Sequence, residues 1–201
     1  MKYDFQCVVI THSDKGTPHM QALIDSNPGL GIDMWVSEGD VGVFPNCDRN
    51  IRNWAKTKWD RSDRKVLVLE YDVEVTKDIR PFFPNENDLE GAFHLSDAPA
   101  ILTEAVRCLP VLLQSTACVL APLAVLMFKP KVLECLIAEK YDALFDITMD
   151  SEVRLASVVT HEGFSIAENP LLTHVKCLLM RLPKTPSNGI LHPSKINNTV
   201  K

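Results

Sequence analysis

No stretch of this 201-residue sequence is apolar for long enough to cross a bilayer as a helix, which takes about 20 residues. The longest apolar run, roughly 117–128, is shorter than that and carries Pro122. The six cysteines, at 7, 47, 108, 118, 135 and 177, form no CxxC pair, so their spacing offers neither a zinc knuckle nor a redox dithiol. Most sit inside apolar runs such as FQCVVI, which reads as a reduced chain without disulfides. Walker A, GxSxG, GxGxxG and HExxH patterns are all missing, which removes P-loop kinases, α/β-hydrolases, dinucleotide-dependent dehydrogenases and zincins as first readings. Positive charge is also in short supply: 21 Lys and Arg stand against 26 Asp and Glu, a net charge of −5. A nucleic-acid binder working by bulk electrostatics is therefore not expected. No charged-then-apolar leader opens the chain, since MKYDFQ runs straight into a strand, and a cytoplasmic, soluble protein is the expectation.

What is present has the rhythm of an α/β domain. Phe5–Thr11 (FQCVVIT) is a short β-branched run stopped by the polar HSDKG, which predicts a buried strand and a loop. A helix is predicted over 17–26, a strand over 32–37, a helix over 46–59 and a strand over 65–75 (KVLVLEYDVEV). That alternation points to a mostly parallel central sheet flanked by helices. The second half reads less regularly. An extended loop is expected over 76–100, a helix over 98–113, strand or helix over 116–127, and helices over 131–139 and 151–161, the last ended by Gly163. Four prolines (170, 183, 186, 193) favour strands and loops near the C-terminus.

The chemistry-bearing pattern is Glu70-Tyr71-Asp72-Val73-Glu74. On a strand, side chains two apart share a face, so all three carboxylates would point one way. They follow the apolar Val66–Leu69, which must lie in the core, so the strand delivers an acidic cluster to its carboxyl end. Ligands of open α/β sheets bind there. Hard oxygen donors suit Mg2+ or Mn2+. A solvated, acidic strand edge would produce the same letters. Near the C-terminus, GILHPSK holds His192 and Lys195, a nitrogen ligand and a cation close together.

With these residues in view, the chain resembles GT-A-type, nucleotide-sugar-dependent glycosyltransferases, including compact ones encoded by large DNA viruses. The likeness is carried by VVITHSD, by NWAKTKWDRSDRKVLVLEYDVEV, by APLAVLMFKPKVLECL and by GILHPSK. It implies one GT-A-like (Rossmann-like) domain over 1–201. Residues 1–100 would be its nucleotide-sugar half, and 101–201 its acceptor half with a metal- and phosphate-contacting end. It places Mn2+ or Mg2+ on Asp72 and His192, with Glu70 toward the metal or the ribose and Glu74 as a helper; the family's DxD reads Glu-Tyr-Asp here. His174 is the second choice for the histidine ligand. Lys195 would face the diphosphate. Thr11 and His12 would line the base or ribose pocket, and Arg49 would meet a phosphate or the donor sugar. For Asp48, Arg49 and Arg52 the plainer reading is a capping acid with surface arginines. Glu152 or Asp150, at the start of a helix, would serve as base toward an acceptor hydroxyl, unless both only cap that helix. The partners implied are a nucleoside diphosphate sugar, by default a UDP-sugar, and a carbohydrate or other hydroxyl acceptor.

Two other classes fit the same acids: a Mg2+-dependent phosphoryl-transfer or phosphohydrolase enzyme, and a non-enzymatic α/β binding module. His94 and His161 read as a loop histidine and a helix-end histidine.

Overall fold

The computed structural model describes residues 3–12, 18–37, 47–75, 77–83, 86–91, 94–97, 106–121, 123–149, 151–169, 173–174 and 190–192; at 74, 82, 94–97, 119, 121, 173–174 and 190–192 it describes the backbone alone. The first half follows the predicted alternation: β1 (Phe5–Thr11), α1 (Pro18–Ser26), β2 (Ile32–Val36), α2 (Cys47–Thr57) and β3 (Lys65–Glu70). Then come β4 (Glu74–Val75), β5 (Leu89–Gly91), β6 (His94–Asp97), α3 (Val111–Gln114), β7 (Cys118–Ala121) and β8 (Val125–Phe128). The chain continues through α4 (Pro130–Ile137), α5 (Asp142–Asp146), α6 (Ser151–His161), β9 (Ile166–Glu168), β10 (Thr173–His174) and β11 (Ile190–His192).

Six strands form the central sheet in the order β2-β1-β3-β8-β5-β9. β1 pairs parallel with β2 and β3, β8 runs antiparallel to both β3 and β5, and β9 is parallel to β5. Five strands therefore share one direction and β8 alone is reversed, as a mostly parallel α/β sheet requires. Alternation along the strands divides the interior. Val8, Ile10, Val66, Val68, Leu126 and Phe128 pack with Ile51 and Trp54 of α2 and with α4, α5 and α6. Cys7, Val9, Leu67, Leu69 and Met127 pack on the other face with Met20 and Leu23 of α1 and with Val73, Val75 and Ile79. A strand buried on both faces has no polar alternation, which is why β1 and β3 read as continuous apolar runs.

Local chemistry sets the ends. Pro18 and Pro130 open α1 and α4, where a missing N–H costs nothing. Gly163, at φ 75°, closes α6 in the left-handed region where a side chain is strained, and the Phe164 N–H returns to the Val159 carbonyl at 3.2 Å. Asn27 is buried beyond α1. Its Oδ1 accepts from Tyr3 Oη and the Ile79 N–H, and its Nδ2 donates to the Leu23 and Lys77 carbonyls, so one side chain stitches three segments.

Three expectations need correction. Residues 65–75 are not one strand: β3 stops at Glu70, and the Val73 N–H returns to the Glu70 carbonyl at 3.1 Å, closing a turn before β4. The segment 76–100 is not a plain loop, because β5 inserts into the central sheet and β6 pairs with β7 in a separate two-stranded one. Of the helix expected over 98–113, residues 98–105 lie outside those described; 106–107 are helical, 108–110 break the helix, and α3 resumes over 111–114. All five cysteines among the described residues are free thiols, and none of the described helices is long and apolar enough to cross a membrane.

Asp88 pins the lower corner of the sheet. Its carboxylate accepts from Lys131 Nζ at 2.9 Å, Lys129 Nζ at 3.2 Å and the Ser165 N–H at 3.0 Å, joining the start of β5 to the β8–α4 junction and to β9. Burial by itself would raise this carboxyl, but hydrogen bonds from Lys131, the Ser165 N–H and Lys129 outweigh it and hold the group well below the usual carboxylate range. A depressed folded value means that the stabilisation is complete above the unfolded value, about pH 4, and is lost as pH falls toward the folded one. Asp88→Asn is expected to lower stability by about 1–3 kcal/mol at neutral pH. Urea midpoints should show that gap closing between about pH 4 and pH 2. A gap that stays constant with pH would rule out the ionised contact.

Candidate active site

Strand order reverses about β1: the chain moves from β1 outward to β2, then returns to lay β3 on the other side. Such a switch point leaves a crevice outside the carboxyl ends of the two inner strands. Register pairs Ile10 with Glu70 and Thr11 with Val36, so the ends of β1, β2 and β3 open together. Thr11 is buried, and its carbonyl accepts the Ser37 N–H at 2.7 Å. His12 is exposed and stands edge-on to the Tyr71 ring, 4.4 Å between centroids at 89°. Burial, and then the charges of Asp72 and Glu70, push the Tyr71 phenol up, so it is a neutral hydrogen-bonding group at physiological pH.

The acidic segment turns across this crevice. Glu70 donates its N–H to the Ala124 carbonyl at 3.0 Å, and Tyr71 and Asp72 form the turn that follows. The three carboxylates therefore do not share one strand face. The chain bends at Tyr71-Asp72, and Val73 and Val75 rejoin the core beyond the turn. Asp72 is half-buried and its Oδ1 is shielded from solvent.

The C-terminal segment returns to the same place. β11 pairs antiparallel with β4, Ile190 with Val75 and Leu191 with Glu74. The chain thus passes from Leu191 to His192 as the opposing strand runs back toward Val73 and Asp72. β10 lies parallel on the other side of β11 and puts His174 in register with His192, so the two histidines singled out as ligands are neighbours. Only their backbones are described, while Lys195 and Asp150 lie outside the described residues. Among the described residues no three His, Cys, Asp or Glu side chains are close enough together to hold a metal ion. The donor chemistry of Glu70 and Asp72 suits a hard divalent cation. With His192 as third ligand, the set would be two carboxylates and an imidazole.

Two helices bring their first turns to this edge. Cys47 opens α2 and its thiol donates toward Glu70 Oε1 at 3.9 Å. Asp48, the next residue, is buried and paired with Arg154 of α6: Arg154 Nε and Nη2 donate to its two oxygens at 2.7 and 2.6 Å. Arg154 Nη1 donates to the Ile147 carbonyl at 2.8 Å. Asn50 donates to Ser37 Oγ at 2.9 Å and accepts from Trp35 Nε1 at 3.1 Å, fastening the end of β2 to α2. Glu152 sits half-buried in the first turn of α6, where the helix dipole favours its ionised form. Burial, with Glu70, Asp48 and Glu152, pushes the Cys47 thiol well up. One thiol thus feels the acid at the end of β3 and the acid at the start of α6.

The plainer reading of a capping acid with surface arginines needs correction: Asp48 is an interior ion-pair partner, and Arg52 is buried as well. Arg49 is about 200° around α2 from Cys47. Its Nε and Nη2 donate to the Phe145 and Ile147 carbonyls at 2.6 and 2.8 Å. It closes the end of α5 where a contact with the donor had been expected. Tyr71, Cys47 and Arg154 were not singled out from sequence. An arginine among the apolar positions of SEVRLASVV was the one signal that a buried acid had to exist.

No family model matches the chain, and no curated protein does. Among solved structures it is similar to an active-site mutant of LgtC (13% identity, TM-score 0.49, 93% of this chain and 86% of that one). It is also similar to mouse xyloside xylosyltransferase 1 (7%, 0.48, 98% and 99%) and to the glycosyltransferase GlyE of Streptococcus pneumoniae (14%, 0.45, 82% and 45%). None of the three reaches a TM-score of 0.5, and the chemistry of the site rests on this chain's own residues.

The shared thiol offers a test of the convergence. Cys47 is expected to alkylate more slowly than the exposed Cys108 at neutral pH. Glu70→Gln and Glu152→Gln should each move its alkylation profile to lower pH, because each removes a charge that opposes the thiolate. Peptide-resolved iodoacetamide labelling from about pH 7 to 10 reads this. An unchanged profile in Glu152→Gln would remove Glu152 from this corner.

Proposed function

We propose that this chain is a divalent-metal-dependent glycosyltransferase that moves a sugar from a nucleoside diphosphate sugar, by default a UDP-sugar, to an acceptor hydroxyl. The observation that carries the reading is the meeting at one switch point of the acidic Glu70-Tyr71-Asp72 turn, the returning strand with His192, and the first turn of α6 with Glu152. Asp72, His192 and Glu70 would hold Mn2+ or Mg2+. A bound ion would neutralise the charge that builds on the leaving diphosphate.

The remaining roles belong to the chain. His12 would line the base or ribose pocket beside Tyr71, with the fully buried Thr11 beneath it. Lys195 would add a cation to the diphosphate. Glu152, in the first turn of α6, would take the proton of the acceptor hydroxyl as it attacks the anomeric carbon, with Asp150 as its alternate. Arg154 would fix the angle at which α6 presents that base. Arg49 is assigned no part in donor binding.

Calorimetric titration with UDP, with and without Mn2+, beside Asp72→Asn tests the metal–diphosphate half. Binding should require the ion and weaken at least about tenfold in the folded variant. If UDP, GDP, CDP and dTDP all fail to bind with Mn2+ present, the reading is wrong and a solvated acidic edge takes its place. For the acceptor half, Glu152→Gln should lower kcat by about 10²- to 10⁴-fold. Its donor KM should change less than about twofold, since the base acts only in the transition state.

A further inference from the structure

Beside α2, and apart from the crevice, the surface opens into a cavity of about 310 Å3 lined by Arg49, Arg52, Asn53, Phe145 and Asp146. Its two guanidinium groups are held in place from behind. Arg49 is fixed through Nε and Nη2 to the Phe145 and Ile147 carbonyls. Arg52 is fixed through Nε to the Leu136 carbonyl at 2.7 Å, and through Nη2 to the Ala138 carbonyl and to Asp142, which also takes Lys56 Nζ. Nη1 of both arginines stands outside these bonds. Two donors immobilised in advance lose little entropy on meeting an anion, and the planar guanidinium suits carboxylate and phosphate oxygens.

The rest of the lining narrows the ligand. Asn53 and Asp146 are exposed, one bringing an amide and the other a carboxylate that can only accept. A bare anion would be repelled by Asp146, whereas a ligand that also carries hydroxyls would donate to it. Phe145 is no open platform for a neutral sugar ring, because Arg52 lies 4.7 Å over its centroid. The volume falls at the lower end of small-molecule sites and leaves room for a single ring beyond the anionic group.

We propose that this cavity binds an anionic sugar unit, with its carboxylate or phosphate on Arg49 and Arg52 and a hydroxyl on Asp146. The site needs neither the metal nor Glu152, so it stands or falls separately from glycosyl transfer. The test is a 1H–15N NMR titration of the full chain with glucuronate, glucose 6-phosphate, glucose and inorganic phosphate, read at the Asn53 side-chain amide and the Asp146 backbone. At least one sugar anion should shift both signals saturably and bind at least about tenfold more tightly than glucose or inorganic phosphate. Glucuronate alone would assign the anion as a carboxylate, and glucose 6-phosphate alone as a phosphate. Asp146→Asn should weaken that sugar anion about tenfold while tightening inorganic phosphate. Asn53→Leu, on the same exposed rim, should weaken it as well. The proposal is overturned if neither sugar anion moves the two signals, if inorganic phosphate binds as tightly, or if Asp146→Asn leaves both affinities unchanged.

Discussion

The arrangement of the candidate site depends on one buried ion pair. Asp48 and Arg154 have no solvent exposure at either side chain, and they join the first turn of α2 to the first turn of α6. Burying both charges gains little net stability over a well-packed apolar pair, yet removing one partner costs about 3–5 kcal/mol because the other is stranded. The two helices are thus held in one relative position, with Cys47 against Glu70 on one side and Glu152 on the other. Burial pushes the Asp48 carboxyl up and the Arg154 guanidinium draws it back, so the pair keeps its geometry only while both stay charged. An apolar contact there would tolerate rotation of α6 about its axis; a bidentate fork does not.

Around that pair the arginines of α2 perform a second structural task. Arg49 caps the carbonyls at the end of α5, and Arg52 those at the end of α4, with its guanidinium on the Phe145 ring. Helix C-termini carry unsatisfied carbonyls and the negative end of the dipole, and a cation there satisfies both. The two charges that read along the sequence as surface arginines therefore hold α4 and α5 against α2. The cavity between them exists because two guanidinium groups are anchored from one edge only.

The fold was legible where hydrophobic period and punctuation agree. β1 and α6 lie where FQCVVIT and SEVRLASVVTH place them, and Gly163 ends the latter. The break at Tyr71 was hidden, because KVLVLEYDVEV alternates without a Gly or Pro, and Val73 and Val75 bury on the same side as Leu67 and Leu69, as they would in an unbroken strand. β5 and β6 were hidden for another reason: at three and four residues they are too short for periodicity to register among the surrounding Pro and Asn. At the site, the acids of Glu70 and Asp72 could be read at a strand end from residue order. The Asp48–Arg154 pair could not, since 106 residues separate its partners: Arg154 among apolar neighbours signals that a buried acid exists but not which one.

The two halves of the site are held with unequal strength. Glu152 stands on an eleven-residue helix whose inner face is buried against the main core and whose first turn carries the ion pair. His192 stands on a three-residue strand that reaches the acidic turn through the two-residue β4. β11 is joined to the acidic turn through a pairing of only two residue pairs. A cation shared between Asp72 and His192 would tie that strand to the rigid edge, and the free energy of holding it there would appear as part of the nucleotide affinity. In the proposed reading, donor binding assembles the metal side of the site while the base side is already in place.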